Sequence, residues 1–201
     1  MRHSIPLALG AAIVASTLTV AAQTPNSSSP ASKAQTPATQ HKTPSAESKT
    51  AMNPDHHFVM EAAEGGMAEV ELGQLAADKA SNAKVKEFGQ RMATDHGKGG
   101  DELKSLAQAK NITLPTAINM KHKALKDRLS KLSGAAFDRA YMAEMVKDHQ
   151  MDSMEFHKEA NTGHDAEIKE WANKTASVVD EHLKMARDIQ KEVGAAPKAT
   201  H

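Results

Sequence analysis

Asn82-Ala83-Lys84-Val85-Lys86-Glu87-Phe88 and Asp165-Ala166-Glu167-Ile168-Lys169-Glu170-Trp171 agree in residue class at seven consecutive positions, cap for cap and aromatic for aromatic, 83 residues apart. Each reads as a helix start, with an Asn or Asp that accepts from free first-turn N–H groups, followed by apolar residues at spacing three and four. Glu61 and Glu144 fall at the same offset, as do Phe58 and Tyr141. Chance resemblance between two amphipathic starts does not run that long, so the chain reads as a duplicated helical hairpin.

Working outward, Asn53-Pro54-Asp55 supplies an N-cap, a proline at the first helical position and an acid in the first turn. The first helix runs to about Ala80, where Ser81-Asn82 break it, and the second runs from Ala83 to about Lys110, closed by Asn111 and Pro115. Residues 111–133 form a long connection with a short helix expected around Leu125 to Leu132. Ser133-Gly134 open a third long helix that ends near Ala160. Gly163 and Asp165 make the next turn, and the fourth helix continues to about Val193, with Gly194 and Pro197 as stops. Two hairpins joined by one long crossover is the connectivity of ferritin-like four-helix bundles, the all-α fold expected for residues 54–193.

The flanks are different. Arg2 and His3 precede an apolar run from Leu7 to Val20, and Val20-Ala21-Ala22 offers the small residues of a signal-peptidase site, so residues 1–22 read as a signal peptide cleaved near Ala22. That run is too short for the ~20 apolar residues of a membrane span, and the mature protein is expected in the periplasm with no transmembrane segment. Residues 23–53 lack any apolar period and carry Pro25, Pro30, Pro37 and Pro44, the composition of a disordered spacer; residues 194–201 read as a disordered tail.

Composition narrows the chemistry. The 201 residues include 25 basic and 25 acidic side chains, a net charge of zero that gives no electrostatic footprint for nucleic acid. With no cysteine there is no disulfide, thiolate metal site or cysteine nucleophile. A phosphate-binding glycine loop, a zincin helix and a serine–histidine pairing at recognisable spacing are all missing, so no enzyme class is indicated.

Helical periodicity puts one histidine into each of three inward stripes. The second helix gives Val85, Phe88, Met92, His96, Gly99, Leu103 and Leu106; the third gives Tyr141 or Met142, Met145, His149, Asp152 and Phe156. The fourth gives Ile168, Trp171, Thr175, Val179, His182, Met185 and Ile189. On the first helix, the face through Ala62, Gly66, Glu69, Gly73 and Ala76 sets a carboxylate between glycines that would admit a neighbouring helix. At ~1.5 Å rise per residue, Glu69 and His182 lie ~17 Å, and His96 and His149 ~21 Å, from one end of the bundle, so all four are expected in one layer.

Three neutral imidazoles and a carboxylate form a ligand set for zinc, copper, iron or manganese. Glu69, His96, His149 and His182 are thus candidate metal ligands for a single ion, with Asp95, Asp148 and Asp152 available as outer-shell partners. The competing reading makes the histidines structural, each satisfied by a neighbouring carboxylate, in an envelope or stress-related interaction scaffold without enzymatic activity. Met92, Met142, Met145, Met151, Met154 and Met185 are nearby in sequence and could be soft Cu(I) ligands, but methionine also fills the core of a bundle poor in aromatics. His56, His57, His122, His157, His164 and His201 fall near ends or on mixed faces and read as solvated.

Glu69-Val70-Glu71-Leu72-Gly73, Asp95-His96, Phe137-Asp138-Arg139-Ala140-Tyr141, His149 and His182-Leu183, in that order, resemble the bacterial family called domain of unknown function 4142. The resemblance spans roughly Asp55 to Lys191 and implies an exported ferritin-type bundle, with no established activity. The Glu-x-x-His pair of di-iron bundles is missing: Ala93, Val146 and Val179 stand three residues before the histidines, leaving a mononuclear site.

Overall fold

The computed structural model describes residues 53–195, in which five helices form: α1 (Pro54–Lys79), α2 (Ala83–Ala109), α3 (Met120–Ser130), α4 (Gly134–Thr162) and α5 (Ala166–Gly194). The expected signal peptide (1–22), nearly all of the spacer (23–53) and most of the tail (194–201) lie outside the described residues.

Helix starts follow from their caps. Asn53 accepts from the Asp55 N–H at 2.9 Å, Asn82 from Lys84 and Val85 at 2.8 and 3.4 Å, and Asp165 from Glu167 and Ile168 at 3.0 and 3.1 Å. The short helix α3 begins at Met120, five residues before the expected Leu125. Asn119 accepts from the His122 N–H at 2.9 Å and so starts the helix more than a turn ahead of Leu125. At the end of α2, Asn111 takes φ of 56°, and the Ile112 N–H reaches back to the Ala107 carbonyl at 2.9 Å in a Schellman closure.

Pairs at the helix ends fix the arrangement. Lys110, just past the end of α2, meets Asp165 at the start of α5 at 2.6 Å, while Lys84 at the start of α2 meets Glu192 near the end of α5 at 2.5 Å. These helices are therefore antiparallel. Asp55 at the start of α1 binds the α4–α5 turn and Asp138 at the start of α4 binds the α1–α2 turn, so α1 and α4 are antiparallel as well. It follows that α2 and α4 run parallel, and the connection carrying α3 spans the bundle between them.

The α1–α2 crossing is tight at Gly73 and Gly89. A Cβ on Gly73 would fall 2.5 Å from the Gly89 carbonyl oxygen, and one on Gly89 would fall 2.7 Å from both the Ala76 Cβ and the Gly73 carbonyl oxygen. Only glycine allows backbones this close. At Gly66, by contrast, an added Cβ meets nothing within 4 Å, so that glycine opens space and does not admit a helix.

Leu72, Phe88, Met92, Phe137, Tyr141 and Met145 form the largest apolar cluster, towards the α1–α2 turn. The buried face of α5 runs through Ile168, Ala172, Ala176, Val179, His182, Leu183 and Ala186. It is rotated from the expected stripe, leaving Trp171, Thr175, Met185 and Ile189 half-buried on its flank. Alanine carries a weak hydrophobic signal but brings helices close, so packing chose the alanines where periodicity favoured larger residues.

Candidate metal centre

The structure brings His96 of α2, His149 of α4 and His182 of α5 together. His149 and His182 are fully buried and His96 is largely so, with ring centroids 5.7, 5.3 and 5.6 Å apart around the triangle. Phe88 closes one side, its ring 6.4 Å from His149 and 6.5 Å from His182.

The ring nitrogens divide into two roles. His149 Nδ1 is 3.0 Å from the Met145 carbonyl oxygen, which can only accept, so this nitrogen carries the proton and Nε2 keeps a lone pair. Likewise His182 Nε2 is 2.9 Å from an Asp95 carboxylate oxygen, which assigns the proton there and the lone pair to Nδ1. Asp95 is itself held by Arg91 at 3.2 Å. His96 Nε2, His149 Nε2 and His182 Nδ1 are all buried without a hydrogen-bond partner. One donor atom from each histidine lies within 4.8 Å of the other two, so an ion at the centre would sit at most ~2.8 Å from each, and shifts below ~1 Å would give the ~2.0–2.1 Å of metal–imidazole bonds.

The three rings are neutral at physiological pH. Burial, with repulsion from the other imidazoles, lowers His96 to about 3 and His149 to about 4. His182 is also lowered, by burial that outweighs the opposing bond to Asp95. Deprotonated imidazoles with outer nitrogens anchored on a carbonyl and a carboxylate are in the state that metal ligation requires.

Glu69 does not join the histidines. It groups with Asp148 and Asp152, one carboxylate oxygen of each lying within 4.8 Å of the others. Equal height along the bundle is therefore insufficient: Glu69 on α1 is directed at the pair of acids one turn apart on α4. Asp95 bonds to His182 as an outer-shell partner would, whereas Asp148 and Asp152 belong to this acidic group.

Beside the histidines is a cavity of about 270 Å³, lined among others by Gly66, His96, Gly99, Asp152, Trp171 and His182. The internal repeat explains its shape. At the 83-residue offset, Asp148-His149 corresponds to Gly65-Gly66 and His182-Leu183 to Gly99-Gly100, so one half supplies imidazoles where the other supplies empty space. Cβ atoms on Gly65, Gly66, Gly99 and Gly100 would meet nothing within 4 Å. Sequence reasoning missed the cavity, although the glycine pairs at repeat-equivalent positions were its signal.

The remaining histidines are mostly peripheral. His57 and His157 are exposed beside Glu61 and Asp180, and His164 is exposed beside Asp55. His122 departs from the solvated reading: α3 lays it against α1, with 16% of its side chain exposed, 3.3 Å from Glu64. Met92, Met142 and Met145 are fully buried in the core, whereas Met151 and Met154 are exposed. Among the described residues no helix is long and apolar enough to cross a membrane.

Residues 39–189 match the family model described as "Domain of unknown function (DUF4142)". No curated protein matches the sequence. Among solved structures, the chain is similar to a DUF305 protein of Streptomyces coelicolor described as secreted, with TM-score 0.60 and 15% identity over 73% of this chain and 96% of that one. A DUF305 fragment from Deinococcus radiodurans aligns with TM-score 0.62 and 11% identity over 69% of this chain and 95% of that one. CopM in its Cu(II)-bound form aligns with TM-score 0.58 and 18% identity over 69% and 96%. At these identities the likeness is one of fold.

Proposed function

We propose that the chain, which belongs to the domain of unknown function 4142 family, is an exported bundle that binds one transition-metal ion through His96, His149 and His182, serving metal buffering or stress protection. The observation that carries this reading is the convergence of three buried imidazole nitrogens without hydrogen-bond partners, two of them on rings whose other nitrogen is anchored. A structural role would have satisfied those nitrogens, because an unpartnered buried polar atom costs ~1–3 kcal/mol. An all-imidazole set suits Cu(II) and Zn(II), and copper heads the affinity order of divalent first-row ions. The Cu(II)-bound neighbour of the same fold is consistent with that choice. A neutral three-nitrogen set leaves coordination positions for water or a carried ligand, and the adjoining cavity gives access to them.

The experiment is the metal content of protein purified without a histidine tag, followed by titration with Cu2+ and Zn2+. One ion per chain and a rise in Tm with added metal are expected, both abolished in His149→Ala and retained when the exposed His57 is replaced. Binding no tighter than about 100 μM, equivalent to ~5.5 kcal/mol, would discard the site and leave the interaction scaffold. Export is tested by mass spectrometry of the periplasmic fraction, which should find a mature N-terminus at or near Gln23.

A further inference from the structure

The imidazole centre leaves the acidic group of Glu69, Asp148 and Asp152 without a role, and we propose that these three carboxylates form a second, separate cation site for a hard divalent ion such as Mn2+, Mg2+ or Ca2+. Glu69 is 1% exposed and neither of its carboxylate oxygens has a hydrogen-bond partner. A neighbouring acid such as Asp148 can bond to it only when one of the two carries a proton. No lysine or arginine among the described residues pairs with any of the three; Lys121 of α3 is the basic group that acts on Asp152, and it does so from beyond ion-pair distance. A carboxylate buried as Glu69 is, against the half-buried Asp148 and Asp152, needs a proton or a cation in place of the missing partner.

A second observation points to a ligand from a different residue. Tyr141 is fully buried, its hydroxyl has no partner, and it is near enough to Glu69 to be acted on by that charge. A neutral oxygen left free near Glu69 would add a fourth oxygen to the three carboxylates. Oxygen donors select hard cations, which distinguishes this site from the nitrogen set of the histidines. The approach is open because Asp152 lines the cavity. Glu69 and Asp152 are also repeat equivalents, meeting across the antiparallel α1 and α4, so the duplication itself brings acid against acid. Burial and mutual repulsion raise Glu69 well above the ordinary carboxylate range and Asp152 to about 8, the direction expected of acids lacking their counter-ion.

The test uses the full-length chain with its imidazole centre first saturated with Zn2+. Mn2+ uptake is followed by loss of the six-line EPR signal of the free ion, with Mg2+ and Ca2+ as competitors to rank the class. One Mn2+ per chain is expected, and Glu69→Gln/Asp152→Asn should weaken its binding at least about tenfold while leaving Zn2+ uptake intact. Asp152→Asn alone carries the same expectation if the double variant does not fold. Unchanged Mn2+ binding in a folded variant would overturn the proposal, as would no uptake of any of the three ions below roughly 1 mM by the native chain. His149→Ala should retain Mn2+ while losing Zn2+, so failure of the imidazole site and failure of the acidic site give different results.

Discussion

Asp55 and Asp138, 83 residues apart in a repeated sequence, each accept two backbone N–H bonds from the turn of the opposite hairpin. Asp138 receives Ser81 and Asn82 at 3.0 and 2.9 Å and also the Ser81 hydroxyl; Asp55 receives His164 and Asp165 at 3.0 and 2.7 Å. The two turns are themselves related by the same offset. Each buried carboxylate thereby satisfies N–H groups at a helix start and locks one hairpin to the other at each end of α1.

Replacing either aspartate with Ala should cost about 1–3 kcal/mol, because two part-buried N–H groups at a helix start lose a charged acceptor. The sites are at opposite ends of a 26-residue helix, ~39 Å apart, so the double variant should show the sum. Chemical denaturation measures this, and a loss under about 0.5 kcal/mol would mean the turns are held by something else.

Glycines of two kinds should respond with opposite sign. Gly99→Ala meets open space and should stabilise by about 0.5–1 kcal/mol through helix propensity. Gly89→Ala would press its Cβ against the Gly73 carbonyl oxygen and should cost about 1–3 kcal/mol. Thermal melts of the two variants decide the point, and a shift of the same sign in both would contradict the packing at the α1–α2 crossing.

Phe88 and Trp171 begin as equivalents in sequence but not in packing. Phe88 is 3% exposed in the main cluster, so Phe88→Ala should cost about 3–5 kcal/mol. Half-buried Trp171 rests on Phe58 and Phe156 at the cavity wall, and Trp171→Ala should cost less than Phe88→Ala. Equal losses would place the α5 face back on the tryptophan.

The pH profile of stability without metal should have two limbs. Asp152 has a folded pKa raised to about 8, so its contribution is full below its unfolded value of 3.8 and is lost as pH rises through about 8. His96 and His149 have folded values lowered to about 3 and 4, so theirs is present above 6.5 and is lost as pH falls through those values. Between about pH 6.5 and 8 the histidine contribution is constant and that of the carboxylate is still being lost, so stability should decline there. Asp152→Asn should flatten that decline, as read from melts across the range.

Metal affinity should outlast the ordinary titration of histidine. A free imidazole near 6.5 would lose its ligand below about pH 6, but burial keeps His96 and His149 unprotonated down to about 3 and 4. Zn2+ binding at pH 5 should stay within about tenfold of its pH 7 value. A steep loss near pH 6 would show the rings to be solvated in solution.

The bundle was legible in the sequence because caps and helical periods are local. Asn53, Asn82 and Asp165 begin helices through bonds to residues two or three places along, so no other part of the chain need be known. The inward placement of His96, His149 and His182 was legible for the same reason, since a stripe at spacing three and four must face a neighbour. Less local features differ from expectation: α3 starts early because Asn119 caps it ahead of the polar turn Lys121-His122-Lys123, and His122 is covered because that helix lies against α1.

The sequence by itself determined the repeat, the helices and the inward placement of the three histidines, all consequences of hydrogen bonds and side-chain spacing within one segment. Only the tertiary structure decided that Glu69 faces Asp148 and Asp152 and not the imidazoles, because rotation of a helix about its axis is set by packing against its neighbours. It also decided that Gly66 and Gly99 open a cavity while Gly73 and Gly89 close a crossing. A glycine carries no side chain to declare its role, and whether the space beside it is filled depends on how closely another helix approaches.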